Sequence, residues 1–178
     1  MILKILKYPD KRLREVCKPV TDFGPNLQKQ IDDMFKTMYA APGLGLAAIQ
    51  VGIFKRFMVM DVGINEGQIV KRNPLIIVNP KIVLQEGKIE WEEGCLSCPD
   101  LVVPMERSKK IEVEYQDRHG KSAKLTAEDL TAVCIQHEID HLDGILIFDK
   151  LSGLKQDLYK QKIKKEVEEI KPRRPVVR

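Results

Sequence analysis

Gln136-His137-Glu138-Ile139-Asp140-His141 sets two imidazoles one helical turn apart, with a carboxylate between them in sequence. At a spacing of i, i+4 both histidines leave a helix on one face, where they can grip a single metal ion. Glu138 lies at the rim of that face and can reach a water at the metal without being a ligand, which is the layout of metal-assisted hydrolysis. The surrounding stretch, about Ala127 to Leu142, reads as a helix. At about 100° per residue Leu130, Cys134, His137 and His141 form one stripe, while Ala132, Ile135, Ile139 and Leu142 cover the far side. A helix apolar on both sides must be buried between other elements. Thr126 is its expected N-cap, with Asp129 at the capping-box position, and Asp143-Gly144 ends it.

Upstream, Ile111-Glu112-Val113-Glu114-Tyr115 alternates, Arg118-His119-Gly120-Lys121 turns, and Ser122 to Leu125 returns as a hairpin partner. Phe57 to Val62 and Leu75 to Val78 read as strands separated by a polar surface loop, Gly63 to Asn73, and Lys88 to Trp91 as a further strand. Leu27, Ile31, Met34, Phe35 and Met38 recur at helical spacing behind Gly24-Pro25, with Asn26 as the expected cap. That helix ends near Ala41-Pro42-Gly43. The following Gly43-Leu44-Gly45-Leu46-Ala47-Ala48-Ile49-Gln50 places small residues where a backbone must come close to something, but it carries no phosphate-loop pattern. Downstream, Ile145 to Phe148 reads as extended. A third helix from Leu154 to about Ile170 is mostly polar, with Leu158, Ile163, Val167 and Ile170 as a thin apolar stripe, and so is expected on the surface.

The chain has 178 residues, 43% hydrophobic and 31% charged, with a net charge of +4. Those values predict one globular domain over 1–170 and a basic, proline-interrupted, mobile tail over 171–178. The charge is too mild and too dispersed to make specific DNA a partner. No apolar run is long enough to span a bilayer, and Met1 to Lys7 does not read as a signal peptide. Four cysteines without export signals point to the reducing cytoplasm, where they act as ligands, nucleophiles or core residues.

Two histidines need a third ligand. Glu166, Glu168 and Glu169 lie downstream, where a zincin-like metallopeptidase would find one, but on a surface helix at no recognisable spacing. Cys95, in Glu93-Gly94-Cys95-Leu96-Ser97-Cys98, is the better candidate, because glycine lets the chain bend sharply beside a metal. Cys95, His137 and His141 would leave one position open, as a catalytic site requires. The same segment permits a rival: Cys95 and Cys98 with both histidines would close a Cys₂His₂ structural site, making the chain a zinc-stabilised interaction module.

The stretches 43–50, 93–97 and 136–141 resemble, in order and separation, the three signature motifs of the peptide deformylase family, and Tyr8-Pro9-Asp10 to Pro19-Val20 matches its N-terminal pattern. The resemblance runs to about Phe148. It implies removal of the formyl group from formyl-methionine at the start of new polypeptides. It also implies an α+β fold, with mixed and antiparallel sheets around the central motif-bearing helix and a C-terminal surface helix. By the same resemblance one divalent ion is held by Cys95, His137 and His141, Fe²⁺ in the cell, with Zn²⁺, Ni²⁺ or Co²⁺ able to substitute. Glu138 is the catalytic acid and base, and the Gln50 amide and Leu96 N–H stabilise the oxyanion. Gly43, Leu44, Gly45, Glu93 and Gly94 bind substrate, Gly45 by leaving room for its backbone. Val133 and Cys134, one turn before His137, are placed to line the methionine pocket, although a buried cysteine is as often simple packing. The C-terminal helix and tail are candidates for transient contact with the ribosome. Three departures stand out. Cys98 occupies a usually aliphatic position. Residues 99–104 are shorter than the expected loop. Met105 replaces a common arginine: either Arg107 substitutes for it, or a buried acid such as Asp140 loses its partner.

Overall fold

A computed structural model describes residues 1–66 and 69–170; the tail expected to be mobile over 171–178 lies outside them. Helix α1 (Pro25–Ala40) starts on proline, whose fixed φ suits the first helical position and whose missing N–H costs nothing there. Gly24 is therefore the cap, and Asn26, expected in that role, is already inside the helix. Leu27, Ile31, Met34 and Met38 are fully buried at helical spacing.

In chain order the strands are β1 (Gly45–Ala47), β2 (Phe57–Met60), β3 (Ile64–Glu66), β4 (Ile69–Lys71), β5 (Leu75–Glu86), β6 (Ile89–Cys95), β7 (Cys98–Arg107), β8 (Lys110–Gln116) and β9 (Ser122–Glu128). A five-stranded sheet runs β1-β2-β5-β8-β9, and β3-β4 and β6-β7 form two-stranded sheets. Every ladder among the described residues is antiparallel; the parallel contact is an isolated bridge, Lys18 to Lys55. The expected β8-β9 hairpin forms, Asp117 accepting the N–H groups of His119 and Lys121 at its turn. Two stretches read as loops are strands instead. Residues 63–73 carry the β3-β4 hairpin, and Pro99 to Pro104 belong to β7. Prolines are tolerated in β7 because it pairs on one side only, with β6.

Helix α2 (Asp129–Leu142) is the buried centre of this α+β arrangement. Ala132, Cys134 and Ile135 pack on Met58, Met60, Ile77, Ile111 and Val113 of the large sheet. Leu142 packs against Cys17, Ala47 and Ile49 on another side. Fully burying an isoleucine or leucine contributes about 1.5–3 kcal/mol each, so these contacts fix the helix axis firmly. The capping box expected at Thr126 is absent. Thr126 sits opposite Glu112 in the β8-β9 ladder, the strand runs straight into the helix, and the Asp129 N–H is satisfied by the Lys109 carbonyl at 2.9 Å. At the other end Gly144 adopts φ 75°, and a Cβ there would stand 2.5 Å from the Arg14 carbonyl oxygen. Glycine thus lets the N-terminal segment close over α2, where the Cys17 N–H bonds the Leu142 carbonyl at 2.8 Å.

Ile147 and Phe148, the end of the run expected to be extended, belong to a 3-10 turn over Ile147–Lys150. Helix α3 (Gly153–Ile170) lies on the surface but docks through Tyr159 and Ile163 onto Val103, Met105, Leu146 and Phe148. Of the expected stripe Ile163 is buried, whereas Leu158 and Val167 remain about half exposed.

Candidate metal centre

Helix α2 and the tip of the β6-β7 hairpin bring three soft donors together. Cys95 Sγ lies 3.2 Å from His141 Nε2, which lies 3.2 Å from His137 Nε2. All three ligand atoms fall within 4.8 Å of one another. Glu93 fixes the orientation of one ring: His137 Nδ1 donates to its carboxylate at 2.8 Å, leaving the Nε2 lone pair facing the other donors. Cys98 is not in the converging set. The neighbouring Cys98 thiol and both histidines hold the Cys95 thiol well below its ordinary pKa despite burial, while the same closeness to Cys95 and burial push the Cys98 thiol up. Among the described residues the converging group holds Cys95, His137 and His141 without Cys98, so the four-ligand Cys₂His₂ site is not built. Nor does the downstream acid Glu166 approach the centre; it sits near Lys162 on α3.

A thiolate with two imidazoles suits a divalent transition ion with a position left over. Beside the donors the Glu138 carboxylate is buried, and its Oε2 has no hydrogen-bond partner among the described residues. Burial raises its pKa despite the two neighbouring histidines. The donor set and this orphaned oxygen together fit a bound ion with a water at its side.

Gly45 explains how the carboxylate is held. A Cβ there would stand 2.5 Å from Glu138 Oε1, so glycine makes room first for the Glu138 side chain, a reason that sequence reasoning had assigned to the substrate backbone. We expect Gly45→Ala to displace Glu138 and cost about 1–3 kcal/mol of stability by overpacking. Thermal melts and steady-state kinetics check this; an alanine variant with both unchanged contradicts the packing argument. Gly43 plays the same part for Leu96, whose Cδ1 would lie 2.8 Å from a Cβ.

Gln50, in the 3-10 turn Ala48–Val51, is buried. Its Oε1 accepts the Ala47 N–H at 2.8 Å, and its Nε2 donates to Ser97 Oγ at 3.1 Å and lies 3.8 Å from Cys95 Sγ. The N-terminal segment ties both neighbouring loops: Leu6 N–H bonds the Gln50 carbonyl at 2.7 Å, and Tyr8 N–H the Ser97 carbonyl at 2.8 Å. The centre opens into a cleft of about 470 Å³. Gly43, Leu44 and Gly45 form one wall, and Gly94, Val133 and Cys134 others. Leu130, Leu101 and Trp91 also line it and were not anticipated.

The pattern of the polypeptide deformylase family matches residues 2–157. The chain belongs to the polypeptide deformylase family. A peptide deformylase of Hydrogenovibrio crunogenus is 50% identical over 167 residues, covering 94% of this chain and 96% of that protein. A crystal structure of the Legionella pneumophila peptide deformylase is 44% identical, with TM-score 0.85, covering 97% of this chain and all of that one. The Ehrlichia chaffeensis peptide deformylase in complex with actinonin is 42% identical, with TM-score 0.86, covering 93% and 97%.

The departure expected at Met105 has a structural counterpart. Met105 is buried in the core under α3, and Arg107 supplies the guanidinium. Its Nε and Nη2 donate to Glu93 Oε1 and Oε2 at 2.7 and 2.9 Å, and its Nη1 to Asp140 Oδ2 at 2.7 Å. Glu93, expected to bind substrate, has both oxygens committed to Arg107 and His137. Burial would raise its pKa, but those bonds hold it below the ordinary carboxylate range. Sequence reasoning offered Arg107 as a partner for Asp140 but missed that the same arginine anchors the histidine's carboxylate.

Proposed function

We propose that hydrolysis of the N-terminal formyl amide of nascent polypeptides, the reaction of this family, runs in this chain at Cys95, His137, His141 and Glu138. The observation that carries the reading is the buried, unpartnered Glu138 Oε2 beside three converging soft donors. Cys95, His137 and His141 would hold the divalent ion, which when bound supplies Lewis acidity to activate water and polarise the formyl group. Glu138 accepts a proton from the attacking water and returns it to the departing amine. The Gln50 amide and the Leu96 N–H stabilise the oxygen on which charge develops, each worth about 10² to 10³ in rate. Gln50 suits this role because Ala47 and Ser97 fix its amide before substrate arrives. Backbone at Gly43, Leu44, Gly45 and Gly94 offers an extended peptide a partner, and Val133 and Cys134 form the floor for the methionine side chain.

We infer that residues 1–170 act as one catalytic unit in the cytoplasm; no described helix is long and apolar enough to cross a membrane. Lys155, Lys160, Lys162, Lys164 and Lys165 on α3 support a transient contact with ribosomal RNA. For the resident ion we propose Fe²⁺, whose thiolate and imidazole ligands leave it open to air oxidation. Purified protein assayed on formyl-Met-Ala should lose activity in air and regain it with Ni²⁺ or Co²⁺, and actinonin should inhibit it. Stable activity with zinc, unchanged by the other ions, rules out iron; no hydrolysis with any ion rules out the reaction.

A further inference from the structure

Cys98 is the one chemically reactive group at the centre that the proposed reaction does not use. It faces Cys95 across the tip of the β6-β7 hairpin: the two residues are register partners, with Leu96 and Ser97 forming the turn between them. Cross-strand partners in an antiparallel ladder have Cα atoms about 4.5 to 5.5 Å apart, inside the range a disulfide spans without backbone movement. Both cysteines line the cleft, and a small oxidant entering it meets Cys95, the more exposed of the two, with Cys98 behind it. Cys98 is 1% exposed and packs against Phe148 and Leu146 in the core under α3, so its thiol stays beside Cys95 instead of rotating away. Cys17, by contrast, is buried in a separate cluster behind α2.

We propose that Cys95 and Cys98 form a reversible disulfide when the metal is absent, making the hairpin tip a redox latch that blocks metal loading. The inference rests on Cys95 being a metal ligand, as argued above. Hydrogen peroxide is the oxidant class. The Cys95 sulfur attacks one peroxide oxygen and the O–O bond breaks, giving a sulfenic acid and water. The Cys98 sulfur then attacks that sulfenic sulfur, the S–O bond breaks, and a second water leaves with the Cys98 proton. Two thiols are oxidised and one peroxide is reduced. With the ion in place the Cys95 lone pair is engaged, and the first step is suppressed. With the disulfide closed, one of three ligands is gone and the ion cannot be rebound. A thiol reductant restores the pair, whereas a site with a single cysteine would pass on to the irreversible sulfinic acid.

The test compares metal-stripped and metal-loaded full-length protein treated with hydrogen peroxide, followed by peptide mass mapping and titration with Zn²⁺. The stripped protein should lose two hydrogens in the peptide spanning Cys95 and Cys98. It should fail to take up zinc, and it should recover uptake of one ion per chain after dithiothreitol. The loaded protein should resist. Stripped Cys98→Val should instead gain oxygen at Cys95 and recover no uptake with reductant. Should that variant not fold, the wild-type mapping decides alone. A link from Cys95 to Cys134, sulfinic acid at Cys95 in the wild type, or a disulfide-containing protein that still binds zinc each overturns the latch. Zinc uptake by untreated Cys95→Ser tells the two readings apart: full uptake there removes Cys95 as a ligand, whatever the disulfide does.

Discussion

Replacing Glu138 with glutamine should leave one metal ion per chain and lower kcat by about 10² to 10⁴, the usual contribution of a positioned acid or base. The three donors at the centre do not include Glu138, so the ion has no reason to leave. The amide has almost the shape of the carboxylate and fits the space that Gly45 leaves for it. What it lacks is basicity. In the parent the buried carboxyl has a raised pKa, set chiefly by desolvation, which suits a group that takes a proton from water and gives it to an amine. Metal analysis and turnover on formyl-Met-Ala must be measured on the same sample. Near-parental kcat with the ion retained would remove Glu138 from the reaction. Loss of the ion would mean that the carboxylate supports the ligands rather than the chemistry.

Much of this centre was readable because it is local. Two histidines four residues apart fix their own geometry once the segment is a helix, and the two-sided apolar pattern of residues 127–142 required that helix to be buried. What escaped reading depends on contacts between distant segments. The start of α2 is stabilised by the Lys109 carbonyl across the β8-β9 hairpin, which no capping pattern encodes. Strand β5 runs on through Ile82, Val83 and Leu84 to Glu86 because β8 pairs with it, whereas the run read as a strand stops at Val78, before Asn79-Pro80. On α3 the buried face centres on Tyr159, whose hydroxyl donates to the Pro99 carbonyl at 2.9 Å. Of the aliphatic stripe that was the more visible signal, Ile163 joins this face, while Leu158 and Val167 stay about half exposed. Glu93 was picked out as part of a motif, yet its task became clear only when Arg107, fourteen residues on, was found gripping it with both arms of the fork.

That grip predicts the largest loss of stability at any residue outside the three donors. In Arg107→Met the Glu93 carboxylate would remain 4% exposed with its main counter-charge gone, and Asp140 would lose the same partner. Breaking a buried pair from one side costs about 3–5 kcal/mol, since the remaining charge stays desolvated. Because Glu93 also holds His137 Nδ1, metal affinity should fall by about 10- to 100-fold, as it does when a ligand's hydrogen-bond partner is lost. Arg107→Lys should recover little, because an ammonium cannot span both Glu93 oxygens and Asp140 at once. The double variant Glu93→Gln with Arg107→Met separates the two effects. With no buried carboxylate left at 93, stability should return part-way while metal affinity stays low, the amide being a weaker acceptor for the imidazole. Chemical denaturation and zinc titration of the parent, Glu93→Gln, Arg107→Met and the double variant complete the cycle. An Arg107→Met protein within about 1 kcal/mol of the parent, the worth of a surface ion pair, would show that the bridge is no more than that.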